Sequence, residues 1–170
     1  MIRLRVFLPL LAALVWLTVP PASAANTASG HFKLGEHLFE PTDVYAATVA
    51  DFMAPAKKLV MVLLADFPFD HAKLAKAADL HREAMDQALA HRKNIVELMV
   101  RPDGDSDLFA YFSAAMIDVN LDEEEPNEEF QWKSSLAPRV EGRYRTKAPG
   151  SYKGQSYTFD FKVAVEVARR

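Results

Sequence analysis

The sequence predicts an α+β domain: an antiparallel sheet, or an incomplete sandwich, of about seven or eight strands with one long amphipathic helix over residues 71–93 packed on it. Three stretches carry that expectation. In Tyr157–Ala168, Tyr157, Phe159, Phe161, Val163, Val165 and Val167 alternate with Thr158, Asp160, Lys162, Ala164, Glu166 and Ala168. Strand geometry sends those two sets to opposite faces. Leu59–Ala65 is apolar at every position and stopped by Asp66 and Pro68, as a strand covered on both sides requires. From His71 to Lys93 the chain has neither proline nor glycine, and its apolar residues return with a helical period.

Each element follows in order. Ala25–Gly30 is small and polar and reads as a flexible leader, and His31–Phe39 reads as a first strand with Phe32 and Leu34 on one side. Tyr45, Ala47 and Val49 alternate, so Asp43–Asp51 is assigned to a strand, and Phe52–Lys58, with Pro55, to a connection. Asp70 is suited to cap the helix. Its Leu74, Ala77, Ala78, Leu80, Ala84, Met85, Ala88 and Leu89 fall on one half of the cylinder. Asn94–Val100 and Asp107–Ile117 flank Arg101-Pro102-Asp103-Gly104-Asp105, the turn chemistry of a hairpin. Asp118–Glu129 is a charged connector. Phe130–Leu136 and Val140–Thr146 alternate again, and Lys147–Ser156 is a loop returning the chain to the closing strand. That strand's apolar face is expected to lie under the alanine-rich helix. Six large side chains at roughly 1.5–3 kcal/mol each make it a main source of core energy before chain entropy is subtracted.

The amino terminus carries an export signal. Arg3 and Arg5 precede the apolar Val6–Val19, and Pro20-Pro21-Ala22-Ser23-Ala24 ends in a small-x-small cleavage pattern. The apolar stretch covers about 21 Å as a helix, short of the ~30 Å hydrocarbon core. A cleaved signal peptide over residues 1–24 is therefore expected, with a single globular domain over 31–170, no stable membrane span after cleavage, and a periplasmic or secreted location. The chain has no cysteine, so neither disulfides nor a lipid-modified cysteine can hold it. Without Arg3 and Arg5, two of its 20 basic residues, 18 remain against 23 acidic ones, a formal net charge of −5. That balance argues against nucleic acid as a partner.

Catalytic patterns are missing from the sequence. The six glycines form neither a G-x-G-x-x-G nor a phosphate-binding loop, and no G-x-S-x-G, S-x-x-K or H-E-x-x-H occurs. No cofactor is implied. His71, His81 and His91 are evenly spaced, but each step of ten residues rotates a helix by about 1000° and advances it about 15 Å, so they cannot share one metal ion. His81 differs from the others in lying on the apolar side of the helix. It is read as a packed histidine bonded to the sheet or, with Met85, as the polar anchor of a helix–sheet pocket also lined by Phe161. Asp118, Asn120, Asp122, Glu124 and Glu129 stand at the ligand positions of an EF-hand-like loop, which makes them calcium candidates. Glu123 where that loop needs glycine, and Pro126, favour a solvated connector instead. Asp103, Asp105 and Asp107 form a second cluster that a turn explains as well.

Charge is segregated. Arg101–Glu129 holds ten acidic residues and one basic, whereas Arg139–Arg170 holds eight basic and three acidic. Adjacent strands that complement each other, for example Arg143 or Arg145 opposite Asp160, explain this as packing. The sharper reading is a two-signed surface that steers a charged partner or a second copy of the chain. Three pieces, Leu64-Ala65-Asp66-Phe67-Pro68-Phe69-Asp70, Arg139-Val140-Glu141-Gly142-Arg143 and Tyr157-Thr158-Phe159-Asp160-Phe161, give a resemblance to a group of small exported bacterial proteins without an assigned activity. The resemblance implies export and an antiparallel sheet with one inserted helix, and carries over no functional residue. The leading expectation is a soluble, exported, non-enzymatic binding module for a protein or cell-envelope partner. The alternatives are a carrier of a small apolar ligand and a carboxylate-based hydrolase.

Overall fold

The computed structural model describes residues 25–52, 54–103, 106–114, 117–121, 128–134 and 138–169. The expected signal peptide lies outside them. Eleven strands and two helices follow in the order β1 (Thr27–Leu34), β2 (His37–Phe39), β3 (Asp43–Ala50), β4 (Lys58–Ala65), α1 (His71–Lys76), α2 (Leu80–His91), β5 (Ile95–Val100), β6 (Ser106–Phe112), β7 (Ile117–Leu121), β8 (Glu128–Ser134), β9 (Arg139–Thr146), β10 (Gly150–Tyr152) and β11 (Gln155–Ala168).

The closing strand β11 is the longest, at 14 residues, and its length shapes the sheet. Along one edge it pairs antiparallel with β1, from Leu34↔Tyr157 to Thr27↔Ala164. Beyond the end of β1 the same edge is free to take β3, in parallel, through Val167↔Ala46 and Ala168↔Ala47. Along the other edge it takes β9, from Asp160↔Arg145 to Glu166↔Arg139, and β10. β3 to β7 then form an antiparallel meander, and β8 completes the other wing on β9. The sheet is thus mixed, not purely antiparallel. A two-residue parallel contact leaves no mark on hydrophobic periodicity.

The sheet curls around a first core. The inward set of β11 is buried throughout, from Tyr157 to Val167, together with Phe32, Phe39, Val62, Leu98, Leu108 and Phe112. Phe32 meets Phe112 edge-on at 5.3 Å, and the indole N–H of Trp132 donates to the Ser106 hydroxyl at 3.1 Å, so β1 and β8 lie across from β6. Gly142 opposes Trp132, and a Cβ there would sit 2.3 Å from the indole ring. A second core lies on the opposite face of β3–β6, under the helices. The central position expected for Leu59–Ala65 holds, since β4 supplies Val60, Val62 and Leu64 to the first core and Leu59, Met61, Leu63 and Ala65 to the second.

Two expectations about the helix are corrected. Residues 71–93 do not form one long helix: Ala77 is extended (φ −63°, ψ 131°), and Asp79 starts α2 by accepting the Arg82 N–H. On a continuous helix Leu74 and Leu80 would stand about 120° apart. The break lets both reach the sheet, where they are 0% and 3% exposed. The helices also cover β3–β6, not the apolar face of β11, which faces the interior of the curl. At the ends of the chain, β1 begins at Thr27, inside the stretch read as a leader, and separates from β2 at the Gly35 turn (φ +55°). The supposed connector contributes Asp118–Leu121 to β7 and Glu128–Glu129 to β8.

Candidate binding face

The outer surface of β8–β9–β11–β1 is built by strand alternation. With the aromatic and valine residues of β11 turned inward, Thr158, Asp160, Lys162, Ala164 and Glu166 point away from the first core. Register then sets their neighbours. Asp160 lies between Arg145 and His31, Lys162 between Arg143 and Ser29, and Ala164 between Glu141 and Thr27. On β8, Glu129 stands beside Arg145 and Gln131 beside Arg143.

These neighbours form a lattice of ion pairs. Arg143 faces Lys162 directly, a like-charge opposition that costs stability. Its guanidinium turns diagonally to Asp160 and holds both carboxylate oxygens, with Nε donating to Oδ1 at 2.7 Å. Arg145, although opposite Asp160, donates from Nε to Glu129 at 2.8 Å, and Lys133 donates to Glu141 at 2.7 Å. The hydrogen bond from Arg143 holds the Asp160 carboxyl below the usual carboxylate range. The bond from Arg145 does the same for Glu129, and that from Lys133 for Glu141. Among the described residues Lys162 forms no ion pair, and it is exposed. Where Thr27, Ser29 and Ala164 replace longer side chains the surface dips into a recess of about 330 Å³, with Lys162, Gln131 and Lys133 on its rim.

The opposite side of the molecule holds a different arrangement. His81, on α2, places Nδ1 2.8 Å from Oε2 of Glu97 on β5. Glu97 is 2% exposed and sits in an apolar row between Leu63 and Phe109. Its second oxygen, Oε1, has no hydrogen-bond partner among the described residues. Burial raises the Glu97 pKa, and the bond to His81 opposes that rise only in part. With Glu97 ionised, Nδ1–H donates to the carboxylate; with Glu97 protonated, the carboxyl donates to Nδ1. The imidazole is half-exposed and meets Phe109 edge-on at 5.2 Å.

The candidate residues therefore separate. Arg143, Arg145 and Asp160 come together on one face, with Arg143 and not Arg145 bonded to Asp160. His81 bonds to the sheet through Glu97, but its imidazole is half-exposed and not packed in the interior. The pocket expected between His81, Met85 and Phe161 does not form, because Met85 packs on the second core and Phe161 belongs to the first. Leu74, Ala84 and Ala88 fill the space beneath the helices at 0% exposure. Of the calcium candidates, Asp122 and Glu124 lie outside the described residues, and Asp118 and Asn120 belong to strand β7. Glu129 is bonded to Arg145 and Gln131. Among the described residues no three His, Cys, Asp or Glu side chains gather into a metal-holding group, and no helix is long and apolar enough to cross a membrane.

Sequence reasoning missed Glu97 and the recess. Glu97 had a visible signal, as the one acid inside the apolar run Ile95–Val100. The recess had none, because Thr27 and Ser29 reach it only through the register of β1 on β11. No family model matches the chain, and no curated protein or solved structure matches it either.

Proposed function

We propose that the chain is an exported, non-enzymatic binding module whose β8–β9–β11–β1 face recognises an acidic partner protein in the cell envelope. Export rests on the amino-terminal pattern of Arg3, Arg5, Val6–Val19 and Pro20–Ala24. The observation carrying the binding reading is Lys162. It is exposed at a recess, opposite Arg143, and forms no ion pair among the described residues while Arg143 and Arg145 are paired. The face presents six basic groups (Lys33, Lys133, Arg139, Arg143, Arg145, Lys162) against four acidic ones (Glu129, Glu141, Asp160, Glu166), on a chain whose formal net charge is −3. A local positive excess on an acidic protein steers and registers a partner of opposite sign. The ion pairs keep the surrounding side chains ordered, which lowers the entropy lost on association.

Retention of a partner from periplasmic extract on the immobilised domain tests this reading. Wild type and an Arg82→Glu control on α2 should retain the same protein, and Lys33→Glu/Lys162→Glu should lose it, with retention by wild type falling as salt rises. Equal retention by all three forms would contradict it.

A further inference from the structure

The β3–β4 connection presents a feature that the binding face does not use. Phe52 is 88% exposed, the highest value among the described large hydrophobic residues. It stands on a tied loop. The Asp51 N–H donates to the Lys57 carbonyl at 3.0 Å, the Lys57 N–H to the Ala54 carbonyl at 2.7 Å, and the Ala54 N–H to the Asp51 carboxylate at 3.3 Å. Asp51 itself is 6% exposed and meets Arg101 at 3.5 Å, and Arg101 also holds Asp107 at 2.6 Å. The loop's polar groups thus turn inward onto an ion-paired base while the aromatic ring is held out to solvent.

The charges around that ring have a pattern. Lys57 is exposed in the same turn and Lys58 at the start of β4. Arg169 leaves β11 at this end, because Ala168 runs parallel beside Ala47 of β3. Among the described residues, exposed Asp103 in the neighbouring β5–β6 turn and exposed Glu166 near the end of β11 are opposing charges. The chain also enters the domain here, since the Arg139 guanidinium donates to the Ala25 carbonyl and the Asn26 side chain accepts the Glu166 N–H near the end of β11. In sequence, the segment leading to Ala25 contains the apolar Val6–Val19.

We propose that this end of the molecule docks on an anionic lipid surface, with Phe52 entering the interfacial layer and Lys57 and Lys58 meeting the headgroups. A lone projecting aromatic flanked by cations suits that interface, where an amphipathic body has both an apolar and a charged layer to meet. Protein interfaces instead centre on a contiguous, desolvated patch. One ring and a few cations give weak, reversible docking.

The cysteine-free sequence allows a clean test with the full chain. An environment-sensitive fluorophore is placed at Ala54→Cys or, as a control at the far end of β11, at exposed Ser151→Cys. Each labelled chain is mixed with vesicles of phosphatidylcholine alone or with phosphatidylglycerol added. The position-54 label should shift to the blue and be quenched by lipid-borne quencher only with phosphatidylglycerol, and the position-151 label should do neither. Phe52→Ala should weaken the response about tenfold, and each of Lys57→Glu and Lys58→Glu about fivefold or more. These forms share one amino-terminal segment, so differences among them report on the loop. No shift at position 54, equal shifts at both positions, or equal shifts on neutral vesicles would each overturn the proposal. None of these outcomes bears on binding through Lys162.

Discussion

The two outward surfaces of the sheet handle charge in opposite ways. On β3–β6 the face away from the first core is covered by α1 and α2, and within it one carboxyl, Glu97, is buried with a single hydrogen-bond partner among the described residues. On β8–β9–β11–β1 the corresponding face carries four acidic groups, among them Glu129, Glu141 and Asp160 in ion pairs at partly exposed positions. Burying one weakly partnered carboxyl costs more than leaving several paired ones at the surface. The first arrangement holds a helix in place, and the second leaves a charged surface available to another molecule.

The sharpest break between inside and outside lies within β11 itself. Phe159→Ala removes a ring that is 1% exposed and should destabilise the fold by about 3–5 kcal/mol. Thr158→Ala, one residue away on the outer face, should be close to neutral. Urea unfolding of both variants reads the difference. If the two cost the same, the alternation described for the strand is wrong.

On the helix-covered face, His81→Ala leaves Glu97 buried without a partner and should cost about 1–3 kcal/mol. Adding Glu97→Leu should recover most of that loss, because the row between Leu63 and Phe109 is otherwise apolar. A double variant no better than His81→Ala alone would mean that the cost arises from helix packing and not from the stranded carboxyl.

The faces should also differ in the sign of their pH dependence. Burial raises the Glu97 pKa above 4.5, so the folded chain keeps this proton where the unfolded chain has lost it. The contribution is fully present below about 4.5 and is lost as pH rises through the folded value. Asp160, with its pKa lowered from 3.8 by Arg143, contributes stability above that value and loses it as pH falls through the folded one. Urea midpoints of Glu97→Gln should therefore fall less than those of wild type between pH 4.5 and pH 7.5. Arg143→Gln should reduce the loss on going below pH 4. The smallest effect is that of Arg143→Gln at neutral pH, a shift of no more than about 2 °C in thermal midpoint.

Legibility from sequence divides along the same line. The alternation of Tyr157–Ala168 and the unbroken apolar run of Leu59–Ala65 report burial directly, and both strands lie where they were expected. Arg143, Arg145 and Asp160 were placed on a common face because alternation fixes which side each takes. Their pairing was not legible, since bonding runs diagonally across the register. The helix break was hidden as well. Ala77 and Ala78 favour helix locally, and only the demand that Leu74 and Leu80 face one sheet separates the two segments. The parallel contact at Val167 and Ala168 was hidden too, since no local pattern encodes it.

The most direct test of the binding face is photo-crosslinking with a photoreactive side chain placed at Lys162 on the rim of the recess or at Arg82 on α2. Illuminated in cells, the chain should give a defined adduct with one acidic envelope protein from position 162 and none from position 82. An adduct from position 82 alone, or none from either position, would contradict the account.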